Sequence, residues 1–196
     1  MSRDGSLALL ADTGLEAENA ALRAALVALR AQVGELQALA DTDPLVPLPN
    51  RRAFMRELAR VIHSVSRYGH SAAVLFIDLN GLKPVNDNEG HEVGDAMLCH
   101  VANLLREHVR AGDMVARIGG DEFGVILDSA TETDARARVD MLIRQIAANQ
   151  LDTGRSILPV RISCGMAMVE RGDSVTSVLD RADAEMYASR GRPRLL

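Results

Sequence analysis

The chain contains no tryptophan, and aromatic residues make up only 3% of its 196 positions. Its core cannot rest on rings and must be built from Ala, Val, Leu, Ile and Met, which carry most of the 47% hydrophobic share. Cysteine is almost as scarce. Cys99 and Cys164 stand far apart in apolar contexts, without a CxxC pair. That excludes a disulfide framework or a thiolate zinc cluster and leaves two buried free thiols in a reducing compartment. Basic charge is not in excess: 22 Lys and Arg face 27 Asp and Glu, for a net charge of −5. Neither nucleic acid nor an anionic membrane surface is therefore an expected partner. No apolar run approaches the ~20 residues that cross a bilayer. The first thirty residues lack a basic segment followed by an apolar one, so no secretory leader is expected and a cytoplasmic location is. Lysine is the last scarcity. Lys83 is the only one, and the other 21 basic residues are arginine. Guanidinium and ammonium differ in shape and hydration, so a lone lysine hints at a place that wants a compact point charge.

What is present begins with a sevenfold repeat. Leu15, Leu22, Leu29 and Leu36 lie seven apart, and Asn19, Leu26, Val33 and Ala40 follow each by four. This d/a pattern predicts a coiled coil over residues 15–40 rather than a single amphipathic helix lying on the body, because the stripe is narrow and strictly sevenfold. Glu18 and Arg23 carry opposite charges at g and the following e, which suits a parallel pair. Asn19 at an a position favours a dimer in fixed register. Three prolines in "DTDPLVPLPN", residues 41–50, then mark a stiff joint. The chain thus divides into a stalk, 1–42, and a body, 43–196.

Within the body, apolar spacing predicts helices over about 51–68, 92–109, 132–149 and 173–190. "SAAVLFIDL" reads as a buried strand ending in Asp78. "DMVARIGGDEFGVIL" reads as two strands about a Gly-Gly turn, and "LPVRISCGMAMV" as a last strand. Residues 80–90 read as a polar, turn-rich connection. The core order is β-α-β-β-α-β, an α+β ferredoxin-like arrangement with helices on one face of an antiparallel sheet, plus extra helices.

That order makes the first strand a neighbour of the central hairpin. Asp78 then approaches Asp121 and Glu122 at the hairpin turn. Clustered carboxylates repel unless a cation compensates them. Mg²⁺ is commonly held by one or two carboxylates together with substrate phosphates. A divalent-metal nucleotide site is one reading of the three acids, and three separately solvated loop residues are the other.

The strings "RIGGDEF" (117–123) and "DLNGLKPVNDNEGHEVGD" (78–95), with "NRRAF" (50–54), "RAGD" (110–113), "ISCGMA" (162–167) and "RADAEMY" (181–187), resemble the GGDEF family, the diguanylate cyclases. The resemblance runs from Asp43 to the C-terminus and implies a palm of the nucleotidyl-cyclase type. It implies condensation of two GTP molecules into cyclic di-GMP with release of two pyrophosphates, each of two facing domains holding one GTP. By motif, Asp78 and Asp121 would hold Mg²⁺ (or Mn²⁺), Glu122 would support the metal, and Asp121 would help deprotonate the attacking hydroxyl. Gly119 and Gly120 would let the backbone approach the nucleotide. Lys83, Arg190 and Arg194 would contact phosphates, with Arg192 an alternative to the last. Asn86, His91 and Asp95 would read guanine; adenine would set an acceptor against Asp95. Arg110 and Asp113 match the family's product-inhibition pair, against the plainer reading of a surface ion pair.

The chain departs from the family in three places. Val46-Pro47 stands where Thr-Gly is usual, which predicts a stiffer joint. Asn80 replaces a frequent Asp, and Leu82 a frequent Phe. Arg190 to Arg194 keep only the charge of the usual C-terminal motif. The expectation is a coiled-coil-promoted homodimeric cyclase restrained by its product. A degenerate domain serving as a receptor for GTP or cyclic di-GMP is the alternative.

Overall fold

The computed structural model describes residues 19–30, 32 and 41–189. The chain forms two compact units, residues 1–40 and 41–196. The first is helical over 19–30 (α1), where Leu22, Leu26 and Leu29 are all solvent-exposed. The outer heptad positions Leu15, Val33, Leu36 and Ala40, and Arg190, Arg192 and Arg194 at the other end, lie outside the described residues.

The second unit opens with a compact turn. Thr42 bridges Pro49, and Asn50 N–H donates to the Asp41 carbonyl at 2.7 Å. Asn50 then caps α2 (Arg51–Tyr68), its side chain accepting from Ala53 N–H, a favourable N-cap. Gly69, at φ 74°, closes the helix in the left-handed conformation that glycine adopts without strain. There follow β1 (Ala72–Leu79), α3 (Leu82–Glu89), α4 (His91–Glu107), β2 (Met114–Arg117) and β3 (Glu122–Asp128). The chain continues through α5 (Glu132–Ala148), β4 (Leu151–Asp152), β5 (Ile157–Leu158), β6 (Ile162–Met168) and α6 (Val175–Ser189).

The main sheet has the order β2-β3-β1-β6, every neighbouring pair antiparallel. This is the expected β-α-β-β-α-β core. Alternation along the strands sends Leu75, Ile77, Phe123, Val125 and Cys164 to one face, where α4 and α5 cover them with Leu98, Val101, Val139 and Leu142. The opposite face, with Val74, Ile126 and Ala167, is covered by α2 and α6 through Phe54, Leu58, Val61 and Val178. The helices are therefore on both faces, not one; the added α2 and α6 bury the side that the minimal core leaves open. Each fully buried Leu or Phe here contributes about 1.5–3 kcal/mol. Two strand glycines let the second layer sit close. A Cβ on Gly124 would lie 2.6 Å from the Phe54 ring, and one on Gly165 would overlap the backbone of Ala182 and Met186 in α6.

Two elements differ from the sequence pattern. The supposed turn-rich connection holds α3, which fully buries no residue and offers only Leu82 and Val85, partly buried, to the core. Its Pro84 sits in the first turn, where a missing N–H costs nothing. The small β4–β5 hairpin breaks what reads as one continuous last strand.

Candidate functional site

Asp78 occupies the penultimate position of β1 and lies directly opposite Glu122 in the β1–β3 register. Leu79 N–H donates to the Asp121 carbonyl at 2.9 Å, which fixes the hairpin end against the strand end. All three carboxylates thus meet at one end of the central strand pair. Asp78 is 8% exposed, unusual for a carboxylate. Burial, then the charges of Asp121 and Asp78, push the Glu122 carboxyl above the ordinary glutamate range; Arg51 opposes this and Asp183 adds to it. A site that resists holding its own negative charge is one that a cation would relieve. Among the described residues no three His, Cys, Asp or Glu side chains form a self-sufficient metal centre. A divalent ion here would complete its shell with phosphate or water, the habit of Mg²⁺. The residues fit such an ion on those terms.

The hairpin loop is shaped differently from a glycine-driven turn. Neither Gly119 nor Gly120 has positive φ. A Cβ on Gly119 would overlap the Glu122 carboxylate, while one on Gly120 would meet nothing within 4 Å. The first glycine makes room for the neighbouring acid itself. Two arginines brace the loop. Arg51 donates to the Ile118 carbonyl at 2.9 Å, and Arg117 donates to that of Gly120 at 2.8 Å. Beneath it runs a groove of about 600 Å³ between α2 and α6, lined by Arg51, Phe76, Asp78, Glu122, Asp180 and Asp183 among others. Arg51, Arg117 and Asp183 carry no role that their sequence positions alone reveal. Their signal was present in "NRRAF", "RIGG" and "RADAEMY", but no spacing rule ties those strings to the loop.

On the other side, the chain leaves β1 through Asn80 and Gly81 and enters α3. The Ser163 hydroxyl donates to Asn80 Oδ1 at 3.0 Å, so the amide that replaces the usual acid is held by β6. Lys83 lies exposed on the first turn of α3, and Asn86 lies half-buried one turn on. His91 and Asp95 are exposed on the first turns of α4. α3 and α4 pack together, with the Asn86 amide against Gly94, the residue before Asp95.

Arg110 and Asp113 form a separate tight turn after α4. Asp113 N–H donates to the Arg110 carbonyl at 2.9 Å, and Arg110 N–H donates to Asp113 Oδ2 at 3.0 Å. The plainer reading, a salt bridge between the two side chains, is not what forms; the Asp113 carboxylate accepts from the Arg110 backbone instead. The pair lines a cavity of about 250 Å³ with Asp128, Asp134, Arg138 and Met141.

The model of the diguanylate cyclase GGDEF domain matches residues 40–194. The chain is 36% identical over 185 residues to the bifunctional diguanylate cyclase/cyclic di-GMP phosphodiesterase MucR of Pseudomonas aeruginosa, covering 93% of this chain and 26% of MucR. It is 36% identical over 157 residues to diguanylate cyclase TpbB of the same species, covering 79% of this chain and 36% of TpbB. It therefore spans between about a quarter and somewhat over a third of these two relatives. The crystal structure of the coiled coil and GGDEF domain of DgcB from Caulobacter crescentus in complex with c-di-GMP superposes with a TM-score of 0.79 at 29% identity. That match covers 91% of this chain and 96% of the other. The chain belongs to the GGDEF-domain family of diguanylate cyclases.

Proposed function

We propose that the protein condenses two GTP molecules into cyclic di-GMP and two pyrophosphates. The observation that carries this reading is the meeting of Asp78, Asp121 and Glu122 at one end of the β1–β3 pair, with Glu122 held above its ordinary pKa. Asp78 and Asp121 would hold Mg²⁺ or Mn²⁺, with Glu122 in support; when bound, the ion neutralises charge developing on the phosphates. Asp95 accepts from guanine N1–H and N2–H, Asn86 donates to O6 or N7, and His91 borders the base. Lys83, with Arg190 and Arg194, steadies the β- and γ-phosphates. The 3′-oxygen of one nucleotide then bonds to the α-phosphorus of the other, the bond to pyrophosphate breaks, and Asp121 assists removal of the hydroxyl proton. The same step in the opposite sense closes the ring.

One domain supplies half of this arrangement, so a dimer is required. The exposed Leu22, Leu26 and Leu29 on α1 support pairing through residues 15–40. Arg110 and Asp113, beside the cavity containing Arg138, form the product-inhibition site, where guanidinium and carboxylate can read guanine edges. Among the described residues no helix is long and apolar enough to cross a membrane, and use of GTP suits the cytoplasm.

The test is incubation of purified, product-stripped protein with GTP and Mg²⁺, followed by chromatography. Cyclic di-GMP is the expected product. GTP binding without product would support the receptor reading instead.

A further inference from the structure

α4 carries a glycine at its fourth residue. Glycine inside a helix is unfavourable relative to alanine, because it loses more backbone freedom on folding. Gly94 is buried, and the structure shows what its missing side chain accommodates. A Cβ there would overlap the amide oxygen of Asn86 on α3, lie 2.9 Å from Asn86 Cγ and 3.3 Å from Leu82 Cδ1. Each of these contacts is with a side chain. None is with the backbone of α3. A methyl group at 94 would therefore displace the Asn86 amide and leave the helix pair in place.

We propose that Gly94 is a positioning residue for base recognition. By lacking a side chain it lets the Asn86 amide lie down against α4, next to Asp95. Two groups on different helices then address one purine edge. This rests on the reading of Asn86 as a guanine contact. Alanine at 94 keeps every polar group of the site, yet turns the amide away from the base. The consequence falls on affinity for the nucleotide, while the carboxylate end of the site, on β1 and the hairpin, is untouched.

The experiment compares the full chain with Gly94→Ala, Asn86→Ala and the double variant. KM and kcat for GTP are read alongside equilibrium binding of GTP in the presence of Mg²⁺, so the comparison holds even where turnover is slow. Loss of one hydrogen bond to the base weakens affinity roughly tenfold in Asn86→Ala. Gly94→Ala shows a similar loss, with kcat nearly unchanged and a melting temperature no lower than the parent chain. In the double variant the losses do not multiply, because both substitutions remove the same contact. Full affinity in Gly94→Ala, beside a weakened Asn86→Ala, overturns the proposal and leaves the guanine reading standing. So do multiplicative losses, or a clear drop in melting temperature, which would make Gly94 a packing residue. Full affinity in Asn86→Ala overturns both.

Discussion

The Arg117 guanidinium joins Asp43, 74 residues earlier in the chain, to the β2–β3 hairpin: it donates to Asp43 Oδ1 at 3.2 Å and to the Gly120 carbonyl at 2.8 Å. Asp43 also accepts from Leu45 and Val46 N–H. Burial opposes its ionisation, but those bonds and Arg117 outweigh it and hold its carboxyl below the usual range. Both side chains of the pair are largely buried, at 14% and 13% exposure. Removal of either leaves the other without its partner, at a cost of about 1–3 kcal/mol. Arg117→Ala and Asp43→Ala should each lower the melting temperature and reduce kcat more than they raise KM, since the loop is displaced and the guanine pocket is not. Arg117→Lys should fail to restore activity, because one ammonium cannot reach both acceptors. Calorimetry with steady-state assays checks all three.

Glu122→Gln should separate stability from activity. A carboxyl with a raised pKa takes up its proton more readily in the folded protein than in the unfolded one. Stability of the metal-free protein therefore rises as pH falls through the raised value and is fully gained below the ordinary one. At neutral pH the ionised group weakens the fold. Gln removes that charge, so the metal-free variant should melt higher than the parent while losing activity. Added Mg²⁺ with GTP should stabilise the parent more than the variant. A variant that melts lower in the metal-free state would contradict the electrostatic account.

Asp173 gives the fold an acid limit of the opposite sign. Hydrogen bonds from Arg181 dominate over the burial that opposes them and, with Glu170 N–H and Ser177, pull its carboxyl down to about 2. Arg181 also donates to the Met168 carbonyl at 2.7 Å, so this cluster ties α6 to the end of β6. The stabilisation is complete above the unfolded value of 3.8 and is lost as pH falls from about 4 to about 2. Allowing for the partly exposed Arg181, it amounts to about 1–2 kcal/mol. Asp173→Asn should lower the melting temperature at pH 7 and flatten its decline below pH 4; an unchanged acid slope would remove Asp173 from the explanation.

The stalk prediction concerns assembly. Leu26→Glu places a charge at a central a position, and should turn a dimer into a monomer whose specific activity climbs with protein concentration. Sedimentation beside the cyclase assay reads both effects. A body beginning at Asp43 that dimerises as well as the full chain would rule out the stalk as the source of pairing.

The parts of this fold that announce themselves in sequence are those whose burial imposes a period. The stripes of α2, α4 and α5 are visible because each must match one core face, and the run Ala72–Leu79 because it is buried on both. α3 is hidden because it is short and none of its side chains is fully buried, and helices on both sheet faces cannot be inferred from any single stripe. The carboxylates were legible as a cluster because strand order alone brings Asp78 to Glu122. The bracing of the hairpin was not. Arg51 and Arg117 act on backbone carbonyls, which are present at every residue and leave no mark in a sequence. A second use of Gly119, room for the Glu122 carboxylate, was also hidden, because the acid three residues later, folding back over it, is visible only in three dimensions.

β1 lies between β3 and β6 and is paired along both edges, whereas α3, the next element, has no fully buried side chain. The site therefore has one stiff wall and one soft wall. Amide hydrogens around Asp78 should be among the slowest to exchange, and those of Lys83 and Asn86 among the fastest. Nucleotide binding would then be felt as a slowing confined to the soft wall, with ordering of α3 as the entropy that the ligand must overcome.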